Sequence, residues 1–255
     1  MAGNNLRNFF SLSLALAKSW FKLRNEGSYL GIFWYLLNPL LLFILLLLVF
    51  SDRLGASIPE YPLYLLLGII MFNFFQQATI ESSRVIIREF WGIIKSINFP
   101  REALIAGIVL RNIFSHLFEI ILLFIFFILF HNSLYGLIFY PVILILFSFF
   151  VFGFCLMISS LAVYFIDLEN IWNFFISLLW LGTPIFYEIG GQTRLFYLNL
   201  FNPLYYFIVL SRKVVIYNTF PEPWVILGCL FYSLLFLLLG LWVFDKLKIK
   251  FAELI

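Results

Sequence analysis

From Tyr29 onward, apolar runs of roughly bilayer length alternate with short polar breaks. The runs 29–50, 61–80, 104–130, 137–165 and 171–187, with a last one inside 223–244, predict six transmembrane helices in an all-α protein. A helix is the reading because lipid offers no hydrogen bonds, so each span must satisfy its own backbone groups. Asn38-Pro39 interrupts the first run; the proline removes one backbone hydrogen bond and predicts a kink. The breaks are tight: 51–60, His131-Asn132-Ser133, and the turn holding Asp167 and Glu169.

Two regions do not fit the simple alternation. Residues 5–25 place Arg7, Asn8, Ser11, Lys18, Ser19 and Lys22 on one helical face and Leu6, Phe9, Phe10, Leu14, Leu16, Trp20 and Phe21 on the other. A basic face opposite an aromatic one predicts an amphipathic helix lying in the membrane interface over 1–28. A short first span is the alternative, and Lys18 and Lys22 come too early for it. Residues 188–222 are too apolar for a solvated loop and too broken to cross twice. Gly190-Gly191 breaks the chain, and Asn202-Pro203 reads as an N-cap followed by proline at the first helical position. Two short re-entrant helices are expected, sheltered by the bundle or lining a cavity. An interfacial hairpin covering the bundle is the other reading.

Composition agrees with lipid as the solvent: 64% of residues are hydrophobic, 11% are charged, and the net charge is only +3. The mean hydropathy is +1.06, which excludes a water-soluble globular domain. The placement of charge then matters more than its sum. Arg7, Lys18, Lys22, Arg24, Arg84, Arg88, Lys95, Arg101, Lys246, Lys248 and Lys250 fall on one side of the six-span scheme, against Arg53, Arg194, Arg212 and Lys213 on the other. That imbalance predicts cytoplasmic termini, including the tail 245–255. No cleavable signal peptide is expected. Cys155 and Cys229 lie in apolar runs and read as free, buried thiols.

Catalytic chemistry is sparse. No phosphate-cradling G-x-x-x-x-G-K-[ST] occurs, nor H-E-x-x-H, G-x-S-x-G or a paired Cys/His metal spacing. The chain therefore reads as a non-enzyme that holds no metal, no nucleic acid and no cofactor. Inside the third run, Arg111, Ser115 and Glu119 share a helical face and His116 sits three residues before Glu119. Ionisable groups at membrane depth face the bundle interior or water; this polar cluster reads as a structural ion-pair group or a proton relay. The segment 81–102, with Phe90, Trp91, Ile93 and Ile94 among charges, reads as a partner-docking helix or as a second membrane-surface helix.

Several stretches resemble the membrane subunit of type-two ABC exporters, in the branch that exports O-antigen and teichoic acid. They are "YLGIFWYLLNPLLLFILLLLVFS", "IIKSINFPRE", "IDLENIWNFFISLLWLGTPIFY" and "NPLYYFIVLSRKVV". The resemblance implies a homodimer of six-span subunits in the bacterial inner membrane, with two ATPase subunits that hold ATP and Mg. It implies a cytoplasmic coupling helix within 81–102, with Arg88, Glu89, Phe90, Trp91, Ile94, Lys95, Phe99, Pro100, Arg101 and Glu102 as coupling residues. It also implies an outer gate at 188–216. Tyr187, Tyr197, Tyr205 and Tyr206 are the expected sugar contacts there, since a phenol offers both a flat ring and a hydroxyl. The expected substrate is a lipid-linked polysaccharide. Export of drugs or other lipids is the nearest alternative; a membrane-embedded glycan enzyme and a passive scaffold are more distant ones. The sequence departs from the family pattern at Ile166, where arginine is common, and at Glu188, where proline is common.

Overall fold

The computed structural model describes residues 2–26, 29–52, 55–89, 99–165 and 167–251, which are mostly helical with no strand among them. Helix α1 (Ala2–Asn25) is followed by a 3-10 turn, Gly31–Phe33, that runs into α2 (Trp34–Phe50). Helix α3 (Tyr61–Arg84) continues as a π-helical turn, Val85–Glu89. Then come α4 (Glu102–Leu129), α5 (Tyr140–Tyr164) and α6 (Leu168–Gly182). The short helices α7 (Thr193–Leu200) and α8 (Pro203–Ser211) precede the long α9 (Pro223–Leu247).

Among the described residues, five stretches are long and apolar enough to cross a bilayer: Gly31–Phe50, Tyr61–Ile87, Glu102–Leu129, Leu134–Tyr164 and Pro223–Leu247. They correspond to the first four expected runs and the last. The remaining expected span, 171–187, is a helix of only 15 residues, about 22 Å long at 1.5 Å per residue. Gly182 closes it. Pro184 prevents its continuation, having no N–H to donate and a ring that collides with the carbonyl four residues back. The chain beyond is not helical. It lies against α2 and α3, where the Tyr61 hydroxyl donates to Phe186 O at 2.9 Å, the Tyr64 hydroxyl donates to Tyr187 O at 2.8 Å, and the Phe50 and Phe186 rings stack.

The bundle has two chemically distinct ends. At the basic end Arg24 meets Glu81, Arg101 donates to the backbone oxygen of Lys248, and the Lys248 ammonium lies 2.5 Å from both Glu102 and Asp245. Burial alone would lower the Lys248 pKa; hydrogen bonds to Asp245 and Glu102 outweigh it and hold the ammonium above the usual lysine value. At the opposite, tyrosine-rich end the Tyr217 hydroxyl donates to Pro59 O at 3.0 Å.

Helix α3 is the axis of the fold, packing against α2, α4, α5, α6 and α8. Its apolar side chains from Leu63 to Phe75 are almost all buried. Helices α5 and α9 run together backbone to backbone. A Cβ on Gly153 would collide with Phe236 O, and one on Gly240 with Gly153 O. Small residues at such a contact let two membrane helices approach closely where lipid gives no hydrophobic drive to association. The Ser233 hydroxyl adds a bond to Leu146 O at 2.9 Å. Helix α1 lies on α4, with Ser13 and Ala17 buried and Gly107 fitting beneath Leu16 and Trp20, while Phe10 and Leu14 point outward. Cys155 and Cys229 are free and buried, as expected.

Candidate functional site: a polar groove along α3

One face of α3 departs from the apolar rule. Asn73, Gln76, Gln77, Glu81 and Arg84 recur at spacings of three and four, so they form a single stripe. Three cavities open along it. The first, about 240 Å³, is walled by Arg24, Trp34, Tyr35, Asn38, Gln77 and Glu119. The second, about 300 Å³, shares Asn38 and Gln77 with it and adds Asn73, Gln76, Glu81 and Arg84. The third, about 340 Å³, shares Leu42, Asn73 and Gln76 with the second and reaches Phe72, Ser177 and Trp180. Together they make a groove between α2, α3 and α6 that starts among charges at the basic end. It climbs past neutral amides and finishes among aromatic rings. From Arg84 to Phe72 it rises about 18 Å along the helix.

The charged end is a tight cluster. Glu81, nearly buried, accepts from Arg24 Nη1 at 3.1 Å and from Asn112 Nδ2 at 2.8 Å, and is ion-paired to Arg111. Arg24 also donates to Gln77 Oε1 at 3.3 Å and lies over the Tyr35 ring. Two guanidiniums thus share one carboxylate. The buried Tyr35 hydroxyl and the Arg111 Nε have no hydrogen-bond partner among the described residues. Higher up, the side chains of Asn38 and Gln76 make no hydrogen bond to any described residue. An amide at membrane depth facing lipid would lose several kcal/mol by typical figures. This stripe therefore faces water, a ligand or another chain.

A separate, larger cavity of about 760 Å³ lies at the tyrosine-rich end, between the segment after α6, helix α8 and the start of α9. Its floor is held by Arg212, which is 3% exposed. Arg212 Nη1 donates to Pro184 O at 2.6 Å, Nη2 to Ile185 O at 2.7 Å and Tyr64 O at 3.1 Å, and Nε to Tyr64 O at 3.2 Å. Its guanidinium also covers the Tyr64 ring at 3.3 Å. Asn199 Nδ2 donates to Gly182 O at 3.1 Å, and Asn202 Nδ2 to Thr183 Oγ1 at 2.8 Å. Arg212 and Asn199 satisfy backbone carbonyls that the break after α6 leaves open, and Asn202 holds the Thr183 side chain beside them. Asn202 also caps α8 by accepting from Leu204 N at 3.1 Å, as expected from Asn202-Pro203.

The profile of the ABC-2 type transporter family matches residues 12–216, the part of the chain that contains both the groove and the cavity floor. The chain belongs to that family. It is also similar over nearly its whole length to proteins named O-antigen export system permease protein RfbA. One from Klebsiella pneumoniae is 28% identical over 254 residues, covering 98% of this chain and 97% of that protein. One from Myxococcus xanthus is 21% identical over 258 residues, covering 97% and 96%.

The transporter fold distributes the residues singled out from sequence unevenly. Phe90, Trp91, Ile94 and Lys95 lie outside the described residues. The backbone of Arg88 and Glu89 closes the π-helical turn after α3. Pro100 is exposed and Phe99 partly so, while Arg101 and Glu102 hold Lys248. Of the four tyrosines, only Tyr205 lines the large cavity. Tyr206 packs on Trp224 and Tyr232 and donates to Leu200 O at 2.9 Å; Tyr187 donates back to Leu181 and Gly182; Tyr197 is exposed.

The expected cluster of Arg111, His116 and Glu119 separates into two. Arg111 turns to Glu81 on α3. His116 Nδ1 is 2.7 Å from Glu119, and its Nε2 is 2.8 Å from the Tyr140 hydroxyl. Helical phase put Arg111 and Glu119 on one face but could not show which neighbouring helix each would meet. Glu81, Arg212, Asn199 and the amide stripe were missed as site residues. Their signal was present, in polar side chains at helical spacing inside apolar runs.

Proposed function

We propose that this chain is the membrane half of an ATP-driven exporter that moves a lipid-linked polysaccharide across the bacterial inner membrane. It works as a homodimer above two ATPase subunits that supply ATP and Mg. The observation that carries the reading is the groove: neutral amides followed by aromatic rings, set inside a bundle that is otherwise lipid-compatible. Sugar hydroxyls exchange hydrogen bonds with Asn and Gln amides, and flat C–H faces pack on rings. Such a lining holds glycan without gripping one unit, so a chain can slide. The two guanidiniums around Glu81 stand where the anionic head of a lipid carrier would enter. The names of the relatives support a glycan cargo.

In this reading the basic end is cytoplasmic and the coupling helix lies within 81–102. Helix α6 with its extended continuation makes the fifth of six crossings, and α7 and α8 are the re-entrant gate, with Tyr187, Tyr197, Tyr205 and Tyr206 near the exit. A glycan-processing activity fits less well. His116 and Glu119 are the inner acid/base candidates, and both imidazole nitrogens of His116 are already engaged.

The test replaces Asn73, Gln76 and Gln77 with Leu, singly and together, in a strain lacking its own permease. We expect the triple variant to lower surface polysaccharide at least tenfold at equal membrane abundance. Wild-type levels from the triple variant would overturn the groove as the path.

A further inference from the structure

The cavity at the tyrosine-rich end is separate from the α3 groove, and of the four tyrosines placed near the proposed exit only Tyr205 lines it. Its walls have three properties. First, they offer a flat aromatic platform: the Tyr205 and Trp224 rings lie nearly parallel, 22° apart with centroids at 6.2 Å, and Phe196 meets Trp224 edge-on. Second, polar atoms on that platform are available. Neither the Tyr205 hydroxyl nor the Trp224 indole N–H has a hydrogen-bond partner among the described residues, and Glu188 has no ion pair there. By contrast Tyr64 and Tyr217 bond to Tyr187 O and Pro59 O, so they act as fixed wall.

Third, the charge of the lining cancels: Arg212 and Lys213 against Glu188 and Glu222. Arg212 is held entirely by backbone carbonyls. Lys213 is bonded to Glu222, which keeps that carboxyl below the usual carboxylate range. No free cation is left to recruit a phosphate or an acidic sugar. An acyl chain would leave the indole N–H and the hydroxyl of the buried Tyr205 unmatched, a costly way to line a lipid site.

We infer that this cavity is a binding site for a short neutral saccharide, which stacks one ring face on Tyr205 and Trp224 and directs hydroxyls to Glu188 and the Tyr205 hydroxyl. The volume of about 760 Å³ lies within the usual range of small-ligand sites. The inference rests on the export reading for its choice of glycan, and it deepens that reading by giving the proposed exit a defined saccharide site.

The experiment is equilibrium dialysis of the purified chain in lipid nanodiscs, without ATPase subunits or ATP. The probe is labelled neutral oligosaccharides of two to six sugars, released by mild acid from the polymer of the cells that carry the protein. Saturable binding at one site per chain is expected. Glu188→Gln, an exposed and isosteric change, and Trp224→Ala should each weaken it at least tenfold, Tyr205→Phe about fivefold, and Phe220→Ala not at all. Absence of saturable binding at millimolar probe, or equal binding in every variant, overturns the inference. So does displacement of the probe by added phospholipid. Because the assay is independent of transport, export by a chain that binds no probe would remove this site and leave the export reading standing.

Discussion

At the scale of single residues, the fold depends on buried charges held in two different ways. Glu81 has guanidiniums on both sides, and removing it leaves Arg24 and Arg111 facing each other beside a cavity. Loss of one member of a buried ion pair typically costs about 3–5 kcal/mol. Glu81→Ala should therefore lower the thermal midpoint of the purified protein far more than Arg24→Ala, whose side chain is 37% exposed. Equal effects would mean that the cluster is solvated. Arg212 has no carboxylate, only carbonyls arranged for a planar fork. Lysine has the charge but not the fork, so Arg212→Lys should destabilise almost as much as Arg212→Met in the same melt; a lysine variant with the wild-type midpoint would show that charge alone suffices. Sequence counting placed Arg212 only with the few charges of the outer side. Only its neighbours in space, Tyr64 and Pro184, reveal that it is an internal brace.

At the scale of elements, hydropathy located the long helices well because lipid imposes one solution on any long apolar run. It failed at α6, where composition continues to Tyr187 but Gly182 and Pro184 end the helix. Hydropathy averages over a proline; a hydrogen-bond ladder does not. Similarly Glu81 reads as the first residue of a charged connector, yet α3 carries it as a helical, nearly buried position. The close pairing of α5 and α9 gives a further prediction. Gly153→Leu or Gly240→Leu forces the two backbones apart and should reduce folded yield in membranes severalfold. Gly182→Ala, with open space around its Cβ, should leave yield unchanged. Yield measured by fluorescence-detected size exclusion decides it, and a normal Gly153→Leu profile would contradict the packing.

At the scale of the whole molecule, α2 and α6 keep broad apolar faces exposed beside the groove, with Leu41, Leu45, Leu48, Phe174, Phe175 and Leu181 outward. A single copy therefore leaves its amide stripe open at one side. A second copy across that opening would turn two grooves into a closed path, which fits the proposed homodimer. The most direct measurement is site-specific photocrosslinking during stalled export, with a photoreactive residue placed in turn at Asn73, Gln76, Gln77 and, as a lipid-facing control, the exposed Leu234 of α9. The account predicts adducts of protein with polysaccharide from the three α3 positions and none from position 234. Polysaccharide adducts absent from α3 while export is demonstrably stalled with substrate engaged would contradict it.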